Sequence, residues 1–136
     1  MARSLNNACD RADDQAEFTR YAAIDIGTVT CRLLVGETDG RSVRTLARRA
    51  IITNLGENVD ATGVLKPEAM ERVFCAVRGF LDIIAHYESD RSSMRIIAMA
   101  TSAARDAHNA DEFAAGLAEM DIALSVIPGE KEAVLS

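Results

Sequence analysis

The stretch Tyr21-Ala-Ala-Ile-Asp-Ile-Gly-Thr-Val-Thr-Cys-Arg-Leu-Leu-Val-Gly36 leaves this chain few folds to choose from. An apolar strand pattern over Tyr21 to Ile26 carries an acidic residue near its end, breaks at Gly27-Thr28, and resumes as the run Leu33 to Val35. Two apolar runs parted by a short Gly-led break make a tight β-hairpin, with Gly27, Thr28, Val29 and Thr30 as its turn. Such a turn can aim several backbone N–H groups and two hydroxyls at one point, an arrangement suited to phosphate oxygens. Asp25, at the strand's end, is placed to meet a metal ion or its waters beside that phosphate. An ordinary hairpin with an acidic edge residue accounts for the same letters, so the segment alone leaves both readings open.

At 136 residues the chain holds one domain. Residues 1–20 are small, charged and aperiodic, the mark of a mobile tail, and the domain proper is expected over 21–136. Its core is aliphatic, since aromatic residues make up only 4% and Trp is missing. A net charge of −6 argues against a broad basic face for nucleic acid, yet local arginines and N–H groups can still take a small anion. Cys9, Cys31 and Cys75 are odd in number and widely spaced, which reads as reduced thiols rather than a disulfide frame or zinc site. His86 and His108 each lack a partner at metal-ligand spacing. No stretch reaches the length of a membrane span, and residues 1–20 are too polar for a signal peptide, so the cytoplasm is the expected compartment.

Ser42 to Thr53 reads as a third strand, followed by a long loop punctuated by Asn54-Leu-Gly-Glu-Asn58 and Ala61-Thr-Gly63. Pro67 opens a helix whose Met70, Val73, Phe74, Val77, Phe80, Leu81 and Ile84 recur at helical spacing through about Tyr87. Met94 to Ala100 is a continuous apolar run, the pattern of a parallel strand covered on both faces. A second helix is expected after Asn109, an N-cap with Glu112 completing a capping box, and with Phe113, Leu117 and Met120 inward. Ala123 to Ile127 forms the last strand, before a helical start over Glu130 to Ser136. The order β-β-β-α-β-α-β predicts an α/β domain, a mixed five-stranded sheet with helices on its faces.

Ligands of such sheets gather at the carboxyl ends of the parallel strands. That address pools Asp25, Thr28 and Thr30 with Thr101, Ser102, Arg105 and Glu132. Phosphoryl chemistry needs such a set: donors for the phosphate, a cation for developing charge, a base for water. Duller roles fit each of them. Thr101 and Ser102 serve equally as helix caps, Arg105 can pair with Asp106 or Asp111, and Arg32 can be a solvated strand residue. Glu130 and Glu132 suit a helix's first turn without any catalytic reason.

The same segments resemble the exopolyphosphatase / guanosine pentaphosphate phosphohydrolase family, a branch of the actin-like ATPase superfamily with a ribonuclease-H-like fold. Asp25-Ile-Gly-Thr-Val-Thr-Cys-Arg-Leu-Leu34 is similar to its first phosphate loop. Asn54-Leu-Gly-Glu-Asn-Val-Asp-Ala-Thr-Gly63, Ala100-Thr-Ser-Ala-Ala-Arg-Asp-Ala-His-Asn109 and Gly129-Glu-Lys-Glu-Ala133 complete the set in order. The resemblance implies hydrolysis of a terminal phosphoanhydride, with inorganic polyphosphate or guanosine pentaphosphate as substrate and Mg2+ assisting. By position, Glu132 becomes the base that activates water, and Asp25 serves the metal. Gly27, Thr28, Val29 and Thr30 hold phosphate with Thr101 and Ser102, while Arg32 and Arg105 neutralise its charge.

Three positions depart from the family pattern. Val29 and Thr30 stand where Asn-Ser is common, which removes an amide side chain but keeps the Val29 N–H. Asn54 stands where an Arg is usual, and Pro128 replaces a frequent Ser. The family's second, Gly-rich phosphate loop belongs to a C-terminal portion beyond Ser136. The expectation is therefore an N-terminal domain that is inactive alone and needs that portion as its partner, with a homodimer compatible with its surface. A sugar kinase or ATPase of the same superfamily, and a non-catalytic phosphate-binding regulatory module, are the rival readings.

Overall fold

The computed structural model describes residues 18–88, 94–100 and 102–126. β1 (Thr19–Ile26) and β2 (Thr30–Thr38) form the expected hairpin, and β3 (Val43–Ile52) returns along β2. β4 (Arg95–Ala100) and β5 (Leu124–Val126) then extend the sheet in parallel, giving the order β3-β2-β1-β4-β5. Between them run α1 (Val59–Thr62), α2 (Pro67–Tyr87), α3 (Ser102–Asp106) and α4 (Ala110–Ala118). The four-residue α1 falls inside the segment expected to be all loop. The tail up to Glu17, Ile127 and the helical start over 130–136 lie outside the described residues.

Alternation along β1 and β2 sets the core. Ala22, Ile24 and Ile26, with Cys31, Leu33 and Val35, point to one face and are buried. α2 covers that face because its apolar residues recur on one side: Met70, Val73, Val77, Phe80 and Ile84 are buried, with Ala69 and Ala76 between them. Phe74 and Leu81, expected inward, sit half-buried at the border. Phe74 stacks on Phe113 of α4 at 5.6 Å, joining the two helices above the sheet. Phe113 and Leu117 are fully buried as expected, while Met120 packs at the edge of the cluster.

Two expectations need correction. The run over Met94 to Ala100 is not sealed on both faces, since Ile96 and Ile97 are 38% and 49% exposed. β5 pairs only with Ala98, Met99 and Ala100, which leaves the first half of β4 with a neighbour on one side alone. Asn109 does precede α4, but its side chain makes no cap hydrogen bond. Its Oδ1 instead accepts from the Leu65 N–H at 2.8 Å, and its Nδ2 donates to the Leu65 carbonyl at 2.9 Å. The amide thus works as a two-point clamp between α4 and the segment before α2. Among the described residues, no helix is long and apolar enough to cross a membrane.

Among the described residues, one carboxylate is buried. Glu37 on β2 is 3% exposed and accepts from Arg20 Nε of β1 at 3.1 Å and from Arg44 of β3. Arg20 also donates to the Tyr87 carbonyl at the end of α2, where a cation meets the negative end of the helix dipole. The cluster therefore ties three strands to the main helix. Burial by itself raises the Glu37 pKa, but the hydrogen bonds and charges of Arg44 and Arg20 outweigh it and hold the carboxyl below its ordinary value. A depressed folded-state pKa stabilises above the unfolded value, about 4.5, and the contribution is lost as pH falls through the folded value. Glu37→Gln should cost about 1–3 kcal/mol near neutral pH. In urea unfolding, the gap to wild type should narrow well below pH 4.5; a gap of the same size in acid would contradict this account.

Candidate functional site

The turn between β1 and β2 is closed by Gly27 N–H donating to the Thr30 carbonyl at 3.0 Å. A Cβ on Gly27 would stand 3.0 Å from that same oxygen, so glycine permits the tight closure. Thr28 and Val29 form the exposed tip. A second loop pins the tip from one side: Thr53 and Asn54 N–H groups both donate to the Val29 carbonyl, at 2.9 and 3.0 Å. Gly56 N–H donates to the Thr28 carbonyl at 2.9 Å. Trans peptide units are planar, with N–H opposite C=O. Tying these two carbonyls to the 53–56 loop therefore turns the Val29 and Thr30 N–H groups away from it. Oriented backbone donors of this kind favour an anion.

Asp25 and Arg32 face each other across the β1–β2 ladder, on the side of the sheet opposite the helices. They line a groove of about 470 Å³ with Ala23, Leu34, Arg48 and Ala50 among its walls. Thr28 lies elsewhere, in a recess of about 280 Å³ shared with Gly56, Val59, Asp60, Gly63, Ala103 and Asp106. The structure thus brings the turn, the 53–63 segment and α3 together, because parallel pairing of β1 with β4 ends both strands at the same edge. Asp25 and Arg32 flank the turn on the open face.

Ser102 is the first residue of α3. Arg105 donates from Nε to Asp106 Oδ1 at 3.1 Å, the surface pairing that the sequence offered as its alternative role. Thr101, Pro128, Gly129 and Glu132 lie outside the described residues.

Sequence reasoning missed the structural part played by Gly56. A Cβ there would stand 2.3 Å from Thr28 Cγ2, so glycine lets the loop close on Thr28, while Ala103 Cβ at 3.5 Å would be an ordinary contact. Its signal was a glycine inside an otherwise polar loop. Asp60 and Asp106, which line the recess, stand within two of the motif segments but were given no site role from the sequence. Among the described residues, no three His, Cys, Asp or Glu side chains stand together as a metal cage. Magnesium asks for less, one or two carboxylates plus phosphate and water. Asp25, half-buried at the end of β1 beside the turn, fits that smaller demand.

The sequence profile of the Ppx/GppA phosphatase family matches residues 34–136. Exopolyphosphatase 2 of Mycobacterium tuberculosis is 38% identical over 129 residues, covering 88% of this chain and 39% of that protein. A bifunctional 3-dehydroquinate synthase/phosphatase of Fusobacterium nucleatum is 36% identical over 121 residues, covering 85% and 18%. The crystal structure of the Aquifex aeolicus Ppx/GppA family member superimposes with a TM-score of 0.77 at 30% identity, covering 85% of this chain and 37% of that one. The chain spans well under half the length of each. The strand order is that of the expected actin-like, ribonuclease-H-like domain.

Cys31, next to the turn, is buried on the helix side. Burial and then the charge of Asp25 push its thiol up to about 12. Cys75 is exposed on α2. Mass mapping after native alkylation at mildly alkaline pH should find Cys75 modified and Cys31 protected until the chain is unfolded. Native labelling of Cys31 at a comparable rate would show that the turn opens readily.

Proposed function

Because the chain belongs to the Ppx/GppA phosphatase family, we propose that it is the N-terminal domain of a phosphoanhydride hydrolase. Its substrate is the terminal phosphate of inorganic polyphosphate or guanosine pentaphosphate, released as inorganic phosphate. The observation that carries this reading is the pair of tied-back carbonyls at Thr28 and Val29, which leaves two adjacent N–H groups for phosphate oxygens. The hydroxyls of Thr28 and Thr30 add donors, and Thr101 and Ser102 extend the set. Arg32 and Arg105 offset phosphate charge. Glu132 removes the proton from the attacking water.

Asp25 is the residue that would hold magnesium through its waters, and that ion would spread the charge of the phosphate oxygens. On an acidic protein such local compensation is required, since long-range attraction for a polyanion is weak. The opposing wall of the cleft belongs to the remainder of the longer protein, and without it the phosphate meets donors on one side only. Cytoplasmic residence is part of the same proposal.

Phosphate release distinguishes the readings. The 136-residue chain should release none above background from either substrate, whereas the longer protein should, with Glu132→Gln lowering its rate by about 10²–10⁴-fold. Turnover by the isolated chain that vanishes in Glu132→Gln would overturn the need for the second wall. Titration calorimetry of the longer protein showing binding without turnover would favour the regulatory module instead. Transfer of phosphate from ATP to a sugar would favour a kinase.

A further inference from the structure

Three contacts converge on one side chain that none of the family motifs contains. Arg72, on the second turn of α2, donates from Nε to the Thr53 carbonyl at 2.7 Å, and its Nη2 lies 3.5 Å from the Asn54 carbonyl. The same Nη2 stands 3.7 Å from Glu57 Oε1, and Glu57 is held in turn by Lys66 Nζ at 3.0 Å. Thr53 and Asn54 are the residues whose N–H groups grip the Val29 carbonyl. One guanidinium therefore holds the carbonyls of the two residues that orient the tip of the turn.

The stretch is also held by the buried side chain of Thr53 and by the Glu57 N–H, which donates to the Asn54 carbonyl at 3.0 Å. Leu55 anchors it to the core with a fully buried side chain, but Asn54 is exposed and left-handed, at φ 50°. The planar fork of arginine suits the task, since its spread, rigid donors can meet two carbonyls and a carboxylate at once, whereas an ammonium's three donors radiate from a single nitrogen.

We propose that Arg72 is a positioning residue for anion binding: by holding the Thr53 and Asn54 carbonyls it aims the Val29 and Thr30 N–H groups. The proposal rests on the phosphate reading of the turn, extending it to a residue that lies on another element and never touches the ligand. Arg72 reaches the turn through backbone alone, by way of Thr53 N–H, Asn54 N–H and the Val29 carbonyl.

The test uses the 136-residue chain, with tripolyphosphate as probe and amide NMR as readout. Wild type should show saturable shifts at Val29 and Thr30. Arg72→Gln should weaken binding by about tenfold or more, the scale of a lost charged hydrogen bond, while the melting temperature changes little. Exchange of the Thr53, Asn54 and Gly56 amides should accelerate relative to the Leu33 amide, a local change that a general loss of stability would not give. Arg72→Lys, keeping charge without the fork, should fall between the two. Unchanged binding and unchanged exchange in Arg72→Gln overturn the proposal. If wild type shows no shift at Val29 and Thr30, the phosphate reading fails, and the exchange rates alone decide whether Arg72 orients the turn. If Arg72→Gln does not fold, wild-type binding and exchange in a folded Arg72→Lys overturn it.

Discussion

Because β1 pairs antiparallel with β2 on one side and parallel with β4 on the other, it is the strand through which every other part of the sheet is placed. Its inward residues Ala22, Ile24 and Ile26 lie fully inside the core, beneath α2. The parallel partner fixes the direction: β1 and β4 must end at one edge, so whatever follows Ile26 meets whatever follows Ala100. The turn, the 53–63 segment and α3 share a recess for that reason. An antiparallel β4 would have sent Ser102 to Arg105 to the far end of the sheet.

Charge is handled differently in the two halves of the sheet. At the base, Glu37 is taken out of water and compensated by two arginines, so a costly burial becomes a cross-link between three strands and α2. At the rim, the donors of the turn are neutral backbone groups set by hydrogen bonds rather than by side-chain charge. On the proposed function, a chain with a net charge of −6 would meet an anion through such local donors rather than through a basic face. On the proposed reading of the turn, Val29, with no polar side chain, would contribute through its N–H alone.

Several features were legible because their signals are local. Pro67 marked the first turn of α2, and the three-and-four spacing from Met70 to Ile84 identified the buried side to within its two border residues, Phe74 and Leu81. The Gly27-Thr-Val-Thr30 break located the hairpin turn. What was not legible depends on partners far along the chain. Asn109 looked like an N-cap because it precedes a helix with Glu112 in place, yet its amide found the Leu65 backbone 44 residues away. Ile96 and Ile97 looked sealed because a parallel apolar run implies neighbours on both sides, but β5 is short.

The sequence by itself determined the five strands, the two longer helices, their order and the place of the turn, since periodicity, Gly and Pro act over a few residues. Only the tertiary structure decided how that turn is aimed. Thr53, Asn54 and Gly56 reach it through backbone N–H groups, and Arg72 reaches them through carbonyls. Backbone groups are the same in every residue, so such contacts leave almost no mark on the letters that make them. Gly56 is the exception, visible because a missing side chain is what allows the approach to Thr28.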